Sequence, residues 1–510
     1  MERAKLLELA EALDTLSKNQ KYNKFESVYP DTGPYRRDLY PKHMKFMEMG
    51  SRCTRRGFIA ANRCGKTWTG AYELTCHLTG LYPKWWKGKR FKSHVNALAA
   101  GLTGKQLRTA VQEILFGNFA DKGTGLIPRD CLVDAKGEIQ TWNMPGVPNT
   151  IGTALVKHVD GEYSKLEFQS YDQGWEKFQG ARYDVIWLDE EPSDNKVYSE
   201  CATRTAGSKG NEGIMYCTFT PLLGFSDVVL GFMPDGLMPL DGIHPDSPNK
   251  FVINATWEDC PHISEDWQRD ALAEYSPQER DARSKGLPAL GAGRVFPIYE
   301  DDITYRRLLI EPHWPRAYGL DFGWNTTAAV WGAKDPNTGT IYLYAEYAGH
   351  KCAPYVHANA IQAKGKYLVG AADPSGGGVN QQDGTQLIDE YRTLGLDLAG
   401  DSNGRSVAKN AIVAGIAKML NMMESGTLKV SLNMENWLKE FRVYRYDAND
   451  PNRIARNQND HLLDATRYLI SCFDEIAKSN VQIEQELDGF EDEQKNRKNP
   501  PTGKSPITGY

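Results

Sequence analysis

Residues 60–67 read AANRCGKT, and how these eight positions are read decides the fold. They match the phosphate-loop pattern G-x-x-x-x-G-K-[ST] at every fixed position but the first, where Ala60 stands for glycine. That first glycine eases entry into the turn, and alanine can replace it where φ is negative. The other positions carry the chemistry. The backbone from Ala60 and Ala61 through Asn62, Arg63 and Cys64 would turn its N–H groups toward phosphates. Gly65 would allow close approach, Lys66 would reach the β/γ oxygens, and the Thr67 hydroxyl would ligate Mg²⁺. The flanks fit. GFIAA (57–61) reads as a strand, and the residues after Lys66 read as a helix with Ala71, Leu74 and Leu78 on one face and Gly80 as its C-cap. The alternative is a strand–turn–helix that contains GKT by chance.

A second motif argues against chance. Val185-Ile186-Trp187-Leu188-Asp189-Glu190 is an apolar strand ending in two acids, the form of a Walker B element. Asp189 would hold Mg²⁺ and Glu190 would orient and deprotonate the attacking water. Glu191 reads as a spare, solvated carboxylate. A further strand ends in Thr218-Phe219-Thr220-Pro221, where hydroxyls could sense the γ-phosphate or simply cap the strand. We take Thr218 as the nucleotide-contacting residue.

Around these motifs, short apolar strands alternate with helices from about Arg56 to Gly286: GFIAA (57–61), VNALAAG (95–101), DVIWLD (184–189), IMYCTFT (214–220) and FVINAT (251–256). This alternation predicts a parallel α/β sheet. With 510 residues, two to four domains are expected. The glycine- and proline-rich KGLPALGAGRVFP (285–297) reads as a connection. A net charge of −6 does not advertise a nucleic-acid binder, so any such binding must come from local patches. No run of 18 apolar residues suggests a membrane span. Nine scattered cysteines without a C-x-x-C pair fit a reducing, cytoplasmic setting better than a disulfide framework.

The C-terminal half carries a different constellation. Asp321 lies in the strand YGLDFG, which precedes a strand pair turning at Asp335–Gly339. Asp373 ends the strand YLVGAADPS, just before Gly376, Gly377 and Gly378, and Asp464 sits on the helix DHLLDATRYLI with Asp460 one turn earlier. Carboxylates from two strand ends and a helix can converge on two divalent metals, the arrangement of an RNase H-type nuclease. Each acid alone is more often a turn or cap residue. Two basic stretches could supply DNA contacts. YPKWWKGKRFKSH (82–94) sets Lys84, Lys87, Lys89, Arg90 and Lys92 among Trp85, Trp86 and Phe91. KEFRVYRYDANDPNRIARN (439–457) adds Arg442, Arg445, Arg453 and Arg456 around a turn near Asp450-Pro451-Asn452. Either could equally be a solvated loop.

The stretches FIAANRCGKTWTGAYELTCHLTG, WKGKRF, WLDEEP, CTFTPLLGFSDVV, GAGRVF, LDFGWN and NDHLLDATRY together resemble the large terminase subunits of tailed bacteriophages, most of all those of short-tailed, headful-packaging phages. The resemblance spans about residues 40–470. It implies an α/β chain with an N-terminal P-loop (RecA-like, ASCE) ATPase that drives double-stranded DNA into a procapsid, and a C-terminal RNase H-like nuclease that cuts concatemeric DNA. ATP and Mg²⁺ are the implied cofactors, with Mn²⁺ able to serve at the nuclease site. Glu190 would be catalytic in the first unit and Asp321, Asp373 and Asp464 in the second, with Thr67, Asp189 and the four C-terminal aspartates, Asp460 included, holding metal. The implied partners are the portal protein, a small terminase subunit and further copies in a homo-oligomeric ring, with no membrane. The implied location is the host cytoplasm, with transient binding at the portal vertex and absence from the mature virion.

On this reading the chain divides into an N-terminal helical segment (1–40), the ATPase (41–285), a connection (286–316), the nuclease (317–477) and a disordered tail (478–510). Two positions depart from the family pattern. Many members have arginine four residues before the phosphate-loop lysine, where this chain has Asn62, so Arg63 is the candidate for a finger in cis and Arg182 and Arg204 for one acting on a neighbouring subunit. Where members often contact adenine through glutamine, the segment YPKHMKF offers His43. Two rivals remain: a helicase-like DNA-dependent ATPase whose C-terminal half only binds DNA, and a non-enzymatic portal-docking protein with a degenerate loop.

Overall fold

The computed structural model describes residues 21–207, 212–289, 293–323, 325–365, 367–374, 387–400, 406–408, 411–447, 453–455 and 458–485. Helix formation over residues 1–20, the glycines 376–378, the turn at 450–452, Arg456 and the tail beyond 485 lie outside the described residues. The chain forms two compact units, Met1–Gly293 and Arg294–Tyr510.

The first unit is built on nine strands: β1 (Arg55–Ile59), β2 (Asn96–Gly101), β3 (Thr141–Asn143), β4 (Ile151–Lys157), β5 (Tyr163–Ser170), β6 (Val185–Asp189), β7 (Ile214–Phe219), β8 (Ile243–His244) and β9 (Ser247–Ile253). Their order in the sheet is β3-β4-β5-β2-β6-β7-β1-β9-β8. The central strands from β5 to β9 pair in parallel, and antiparallel strands close both ends. Strands β6 and β7 are buried at every position, as their unbroken apolar runs require when helices cover both faces of a sheet. Strands β3 to β5 were not among those expected. Their signal was present, since YSKLEFQS in β5 alternates buried and more open positions in the two-residue period of a half-buried strand.

The phosphate-loop helix, Lys66–Thr79, packs on this sheet and ends at Gly80 in the left-handed conformation. A wholly buried ion pair ties it to β1: Arg56 Nη2 lies 2.5 Å from Glu73 Oε1, and Arg56 Nη1 donates to Glu73 Oε2 (2.9 Å) and to the Phe46 carbonyl (2.8 Å). Strand, loop and helix thus form one braced element. The stretch 23–40, expected as part of a polar helical segment, is not one continuous helix. It forms short turns at Lys24–Ser27 and Arg37–Leu39, and it buries Phe25, Tyr29 and Tyr40 in the unit's core.

The second unit carries β10 (Thr304–Tyr305), β11 (Arg316–Asp321), β12 (Thr327–Lys334), β13 (Ile341–Gly349), β14 (Gly370–Ala372) and β15 (Leu428–Ser431), ordered β10-β15-β13-β12-β11-β14. Strands β11, β12 and β13 form an antiparallel meander, and β14 joins β11 in parallel. The helix His461–Ile476 lies directly on β11. A Cβ added at Gly319 would fall 1.9 Å from the Ala465 carbonyl oxygen, so only glycine admits the helix at this distance. Two expected boundaries are corrected here. Val295 and Phe296 are buried in this unit's core and β10 belongs to its sheet, so residues 294–316 are part of the unit rather than a connection. Residues 478–485 are ordered rather than the start of a disordered tail: Lys478 exchanges backbone hydrogen bonds with Arg316 (2.9 and 3.1 Å) and Ile483 packs against the core.

Candidate active sites

In an open parallel sheet, ligands bind outside the carboxyl ends of the strands. The order β6-β7-β1 brings three such ends together in the first unit: Asp189 at the end of β6 with Glu190 just beyond it, Thr218 to Thr220 at the end of β7, and the phosphate loop after β1. A cavity of about 650 Å³ opens here, lined by Arg63, Lys66, Thr67, Trp68, Glu190 and Trp267 among others.

The loop is held from both sides. Gly65 adopts φ 71°, and a Cβ there would approach His43 Cε1 to 2.8 Å. His43 is buried. Its Nε2 meets the Cys64 carbonyl oxygen at 2.8 Å, and its Nδ1 lies 2.8 Å from the Tyr29 hydroxyl and 3.0 Å from that of Thr69. Burial pushes its pKa down to about 4. His43 therefore braces the loop from behind, which corrects the expectation of an adenine contact. On the other side the Trp257 indole N–H donates to the Asn62 carbonyl (2.9 Å), and His262 Nε2 lies 2.9 Å from the Arg63 carbonyl oxygen.

Lys66 is buried, and its ammonium donates to the carbonyls of Ala60 (3.1 Å) and Ala61 (2.6 Å) and to the Thr220 hydroxyl (2.8 Å). Burial lowers its pKa, while Glu190, Cys64 and Asp189 pull it back. The Cys64 thiol turns away, toward the Thr256 carbonyl (3.3 Å). Asp189 sits 5% exposed between two hydroxyls, accepting from Thr218 at 2.8 Å and Thr67 at 3.4 Å. Burial, then repulsion from Glu190, raises its pKa to about 7. Burial also raises the Glu190 pKa, against the attraction of Lys66.

The two threonines of β7 have different surroundings. Thr218 lies level with Asp189 in the sheet, accepts from the Trp187 indole (2.7 Å) and donates to Asp189. Thr220, beyond the strand end, joins Lys66, the Ala60 carbonyl and Asn62 Oδ1 (2.9 Å). The hydroxyl nearest the loop lysine is thus that of Thr220, and Thr218 is a partner of Asp189, contrary to the expected nucleotide contact. Glu191 is not solvated as expected: it is 5% exposed and accepts a hydrogen bond from the Ser226 hydroxyl. Burial raises its pKa to about 7. Tyr171, missed in the sequence, donates to the Glu190 carbonyl at 3.0 Å.

Of the three arginines, only Arg63 reaches this cavity, its guanidinium 5.1 Å from the Trp267 ring centre. Arg182 precedes β6, and the Tyr183 N–H donates to the Arg204 carbonyl (3.0 Å), so both stand at the amino ends of the strands, roughly 15 Å of strand from Asp189. Arg204 is paired with Glu200 at 2.9 Å and Arg182 donates to the Ala206 carbonyl at 3.1 Å. They do not meet the phosphate loop of their own chain. The basic stretch 82–94 is also bound up in the fold. Trp86 is core, Lys89 donates to the Glu212 carbonyl (2.6 Å), and Arg90 lies over the Tyr82 ring (5.1 Å). Its aromatic rings are packing elements and not a free stacking platform.

In the second unit Asp321 ends β11 and Asp373 follows β14, the adjacent parallel strand, with the Asp373 N–H donating to the Leu320 carbonyl at 2.9 Å. Asp460 is the N-cap residue of the helix His461–Ile476 and Asp464 lies in its first turn. The four carboxylates crowd one end of the sheet. Burial, then repulsion from Asp464 and Asp373, raises Asp321 to about 6, and burial with Asp464 raises Asp460 to about 6. Two residues not among the sequence candidates bind them. His461 Nδ1 meets Asp321 Oδ2 at 2.8 Å, and Arg467 donates to both oxygens of Asp464 at 3.0 Å. Arg467, three residues after Asp464 on one helix face, was the readable signal. The oxygen donors suit a hard cation such as Mg²⁺ or Mn²⁺. Among the described residues, however, no three His, Cys, Asp or Glu side chains are gathered to hold an ion as they stand. His461 and Arg467 occupy the oxygens that a cation would take. In the second basic stretch, Arg442 is committed to Glu300 (2.7 and 2.9 Å) and is not a free DNA contact.

Comparison with known proteins agrees with this division. Residues 58–300 match the family model described as terminase large subunit, T4likevirus-type, N-terminal, and residues 318–472 match the terminase RNaseH-like domain. The large terminase subunit of Salmonella phage P22 is 31% identical over 484 residues, covering 90% of this chain and 91% of that protein. Among solved structures, the P22 large terminase nuclease domain is 26% identical, covering 38% of this chain and 99% of that one with a TM-score of 0.34. The HK97 bacteriophage large terminase is 14% identical over 89% of this chain and 98% of its own, with a TM-score of 0.38. Matched over nine-tenths of its own length and of its relative's, with an ATPase unit followed by an RNase H-like nuclease unit, the chain belongs to the family of phage terminase large subunits.

Proposed function

We propose that the first unit hydrolyses ATP to drive double-stranded DNA into a procapsid and that the second unit cuts the concatemer. In the first site, Lys66 and the loop N–H groups bind the phosphates, and Thr67 with Asp189 would hold Mg²⁺. Bound Mg·ATP supplies the electrophilic phosphorus and much of the charge neutralisation. Glu190 takes the proton of the attacking water at its carboxylate. Thr218 keeps Asp189 in place, Thr220 links the loop lysine to the end of β7, and Arg63 is the candidate finger in cis. In the second site, Asp321, Asp373, Asp460 and Asp464 would hold Mg²⁺ or Mn²⁺, which when bound activates water and stabilises the leaving oxygen of a phosphodiester. His461 and Arg467, which bind Asp321 and Asp464 in this structure, would have to give up these oxygens when a cation binds.

The assembly we infer is a homo-oligomeric ring that docks on a portal protein and receives DNA from a small terminase subunit in the host cytoplasm. Arg182 and Arg204, at the far end of the sheet, are candidates for contact with a neighbouring copy. The observation that supports the reading most is the meeting of Lys66, Asp189, Glu190 and Thr220 at adjacent ends of one parallel sheet. Its test is a pair of variants. Lys66→Ala loses ATP binding and hydrolysis together, while Glu190→Gln binds ATP and hydrolyses it at least about 10²-fold more slowly, because the water has lost its base. Parental turnover by Glu190→Gln refutes the assignment.

A further inference from the structure

Glu190 sits in the left-handed region, with φ 65°. A non-glycine residue is costly there and stays only where its surroundings leave no alternative. On one side those surroundings are clear. The Glu190 N–H donates to the Thr218 carbonyl at 3.0 Å, and the Tyr171 hydroxyl donates to the Glu190 carbonyl at 3.0 Å. On the other side stands Glu191, a carboxylate 5% exposed and bound by the Ser226 hydroxyl, with the Leu223 N–H also turned toward it. Packing alone does not call for an acid here, since an apolar side chain would fill the position without the desolvation cost. Ser226 is itself fixed. It accepts from the Val229 N–H (3.2 Å), and Val228 and Val229 are buried in the core on that face of the sheet.

We propose that Glu191, anchored by Ser226, is a positioning residue for ATP hydrolysis. It fastens the residue that follows Glu190 to the core, so that the left-handed turn is locked and the Glu190 carboxylate is aimed at the phosphate-loop cavity. This inference rests on the reading of Glu190 as the base. Neither Glu191 nor Ser226 lines the cavity, so releasing them should change the aim of Glu190 and leave nucleotide binding intact.

The test uses the full chain with Glu191→Ala, Ser226→Ala, Ser226→Thr and, as control, Glu190→Gln. Steady-state ATPase, binding of a non-hydrolysable ATP analogue and plasmid cleavage are measured on each preparation. For Glu191→Ala and Ser226→Ala, kcat falls about tenfold or more, short of the roughly 10²–10⁴-fold that a general base supplies. KM and analogue affinity stay within about twofold of parental. Ser226→Thr keeps the hydroxyl and the parental kcat, and cleavage by the other unit is unchanged in all. The proposal is overturned if Glu191→Ala and Ser226→Ala turn over ATP normally while Glu190→Gln does not, or if kcat, analogue binding and cleavage fall together. Parental turnover by Glu190→Gln removes the base reading itself, whatever the other variants do.

Discussion

Replacing Thr218 by valine keeps the shape of a buried side chain and deletes one hydroxyl that serves two partners. The Trp187 indole N–H, on a fully buried ring, loses its acceptor, and Asp189 Oδ1 loses its closest donor. An unsatisfied buried N–H costs about 1–3 kcal/mol of stability, and a hydrogen bond to a charged group is worth about 1.5–3 kcal/mol. The second figure acts on the ionised form of Asp189, so its loss moves the pKa up by about one to two units. Asp189 already stands at about 7 through burial and Glu190. In the variant it would titrate at about 8 to 9, and the ionised fraction at about pH 7 would fall from about one half to between roughly one tenth and one hundredth. The assay is kcat/KM for Mg·ATP from about pH 6 to about pH 9.5, which reports the free enzyme's groups. The expected result is a loss of about five- to fiftyfold at about pH 7, recovered at the alkaline end as the acid limb moves up. An acid limb that stays in place, or a loss equal at every pH, would refute this account of Thr218.

Two further outcomes follow from the second unit. Asp321 and Asp460 are held at about 6, and the proposed cation site needs both ionised, so cleavage by the parental protein should decline steeply as pH falls through about 6. A flat profile down to about pH 5 would show that these carboxylates do not gate metal binding. Glu440, buried on the helix Glu435–Val443, accepts the Leu462 and Leu463 N–H groups (2.8 and 3.1 Å) at the start of the helix that carries Asp464. Burial raises its pKa from 4.5 to about 8. The folded state then holds a proton that the unfolded state releases, so its stability contribution is complete below about pH 4.5 and is lost as pH rises to about 8. Glu440→Gln keeps an acceptor and cannot ionise. Its Tm should exceed the parental value increasingly from about pH 5 to about pH 8 and level off above, for a gain of at most a few kcal/mol. A difference independent of pH would mean that the carboxyl does not titrate between the two states.

What could be read from the sequence was local. The phosphate loop, its helix with the Gly80 cap and the acidic end of β6 are contiguous patterns whose chemistry depends on neighbours a few residues away. What could not be read depended on register. Thr218 and Thr220 look alike in the sequence, and only the pairing of β7 with β6 on one side and β1 on the other sets the first beside Asp189 and the second beside Lys66. Glu191 looked like a solvated acid because its partner, Ser226, lies 35 residues away. The aromatic residues of 82–94 suggested stacking on bases, but the same rings satisfy a core, and composition cannot tell these uses apart. In the second unit the acids were legible as strand ends and a helix turn, whereas the hold of His461 on Asp321 exists only once helix and sheet are packed.

The central claim is that one chain carries two separable engines, and it is tested most directly by Asp373→Asn. The substitution keeps size and removes one negative charge from the cluster proposed to hold cations. Plasmid cleavage in Mn²⁺ and ATPase activity are measured on the same preparation, with folding verified by Tm. The account predicts that cleavage drops by orders of magnitude, because water activation and leaving-group stabilisation both depend on the bound ions, while ATP hydrolysis continues at the parental rate. Cleavage at the parental rate by the folded variant would contradict the metal assignment and leave the second unit as a DNA-binding domain alone.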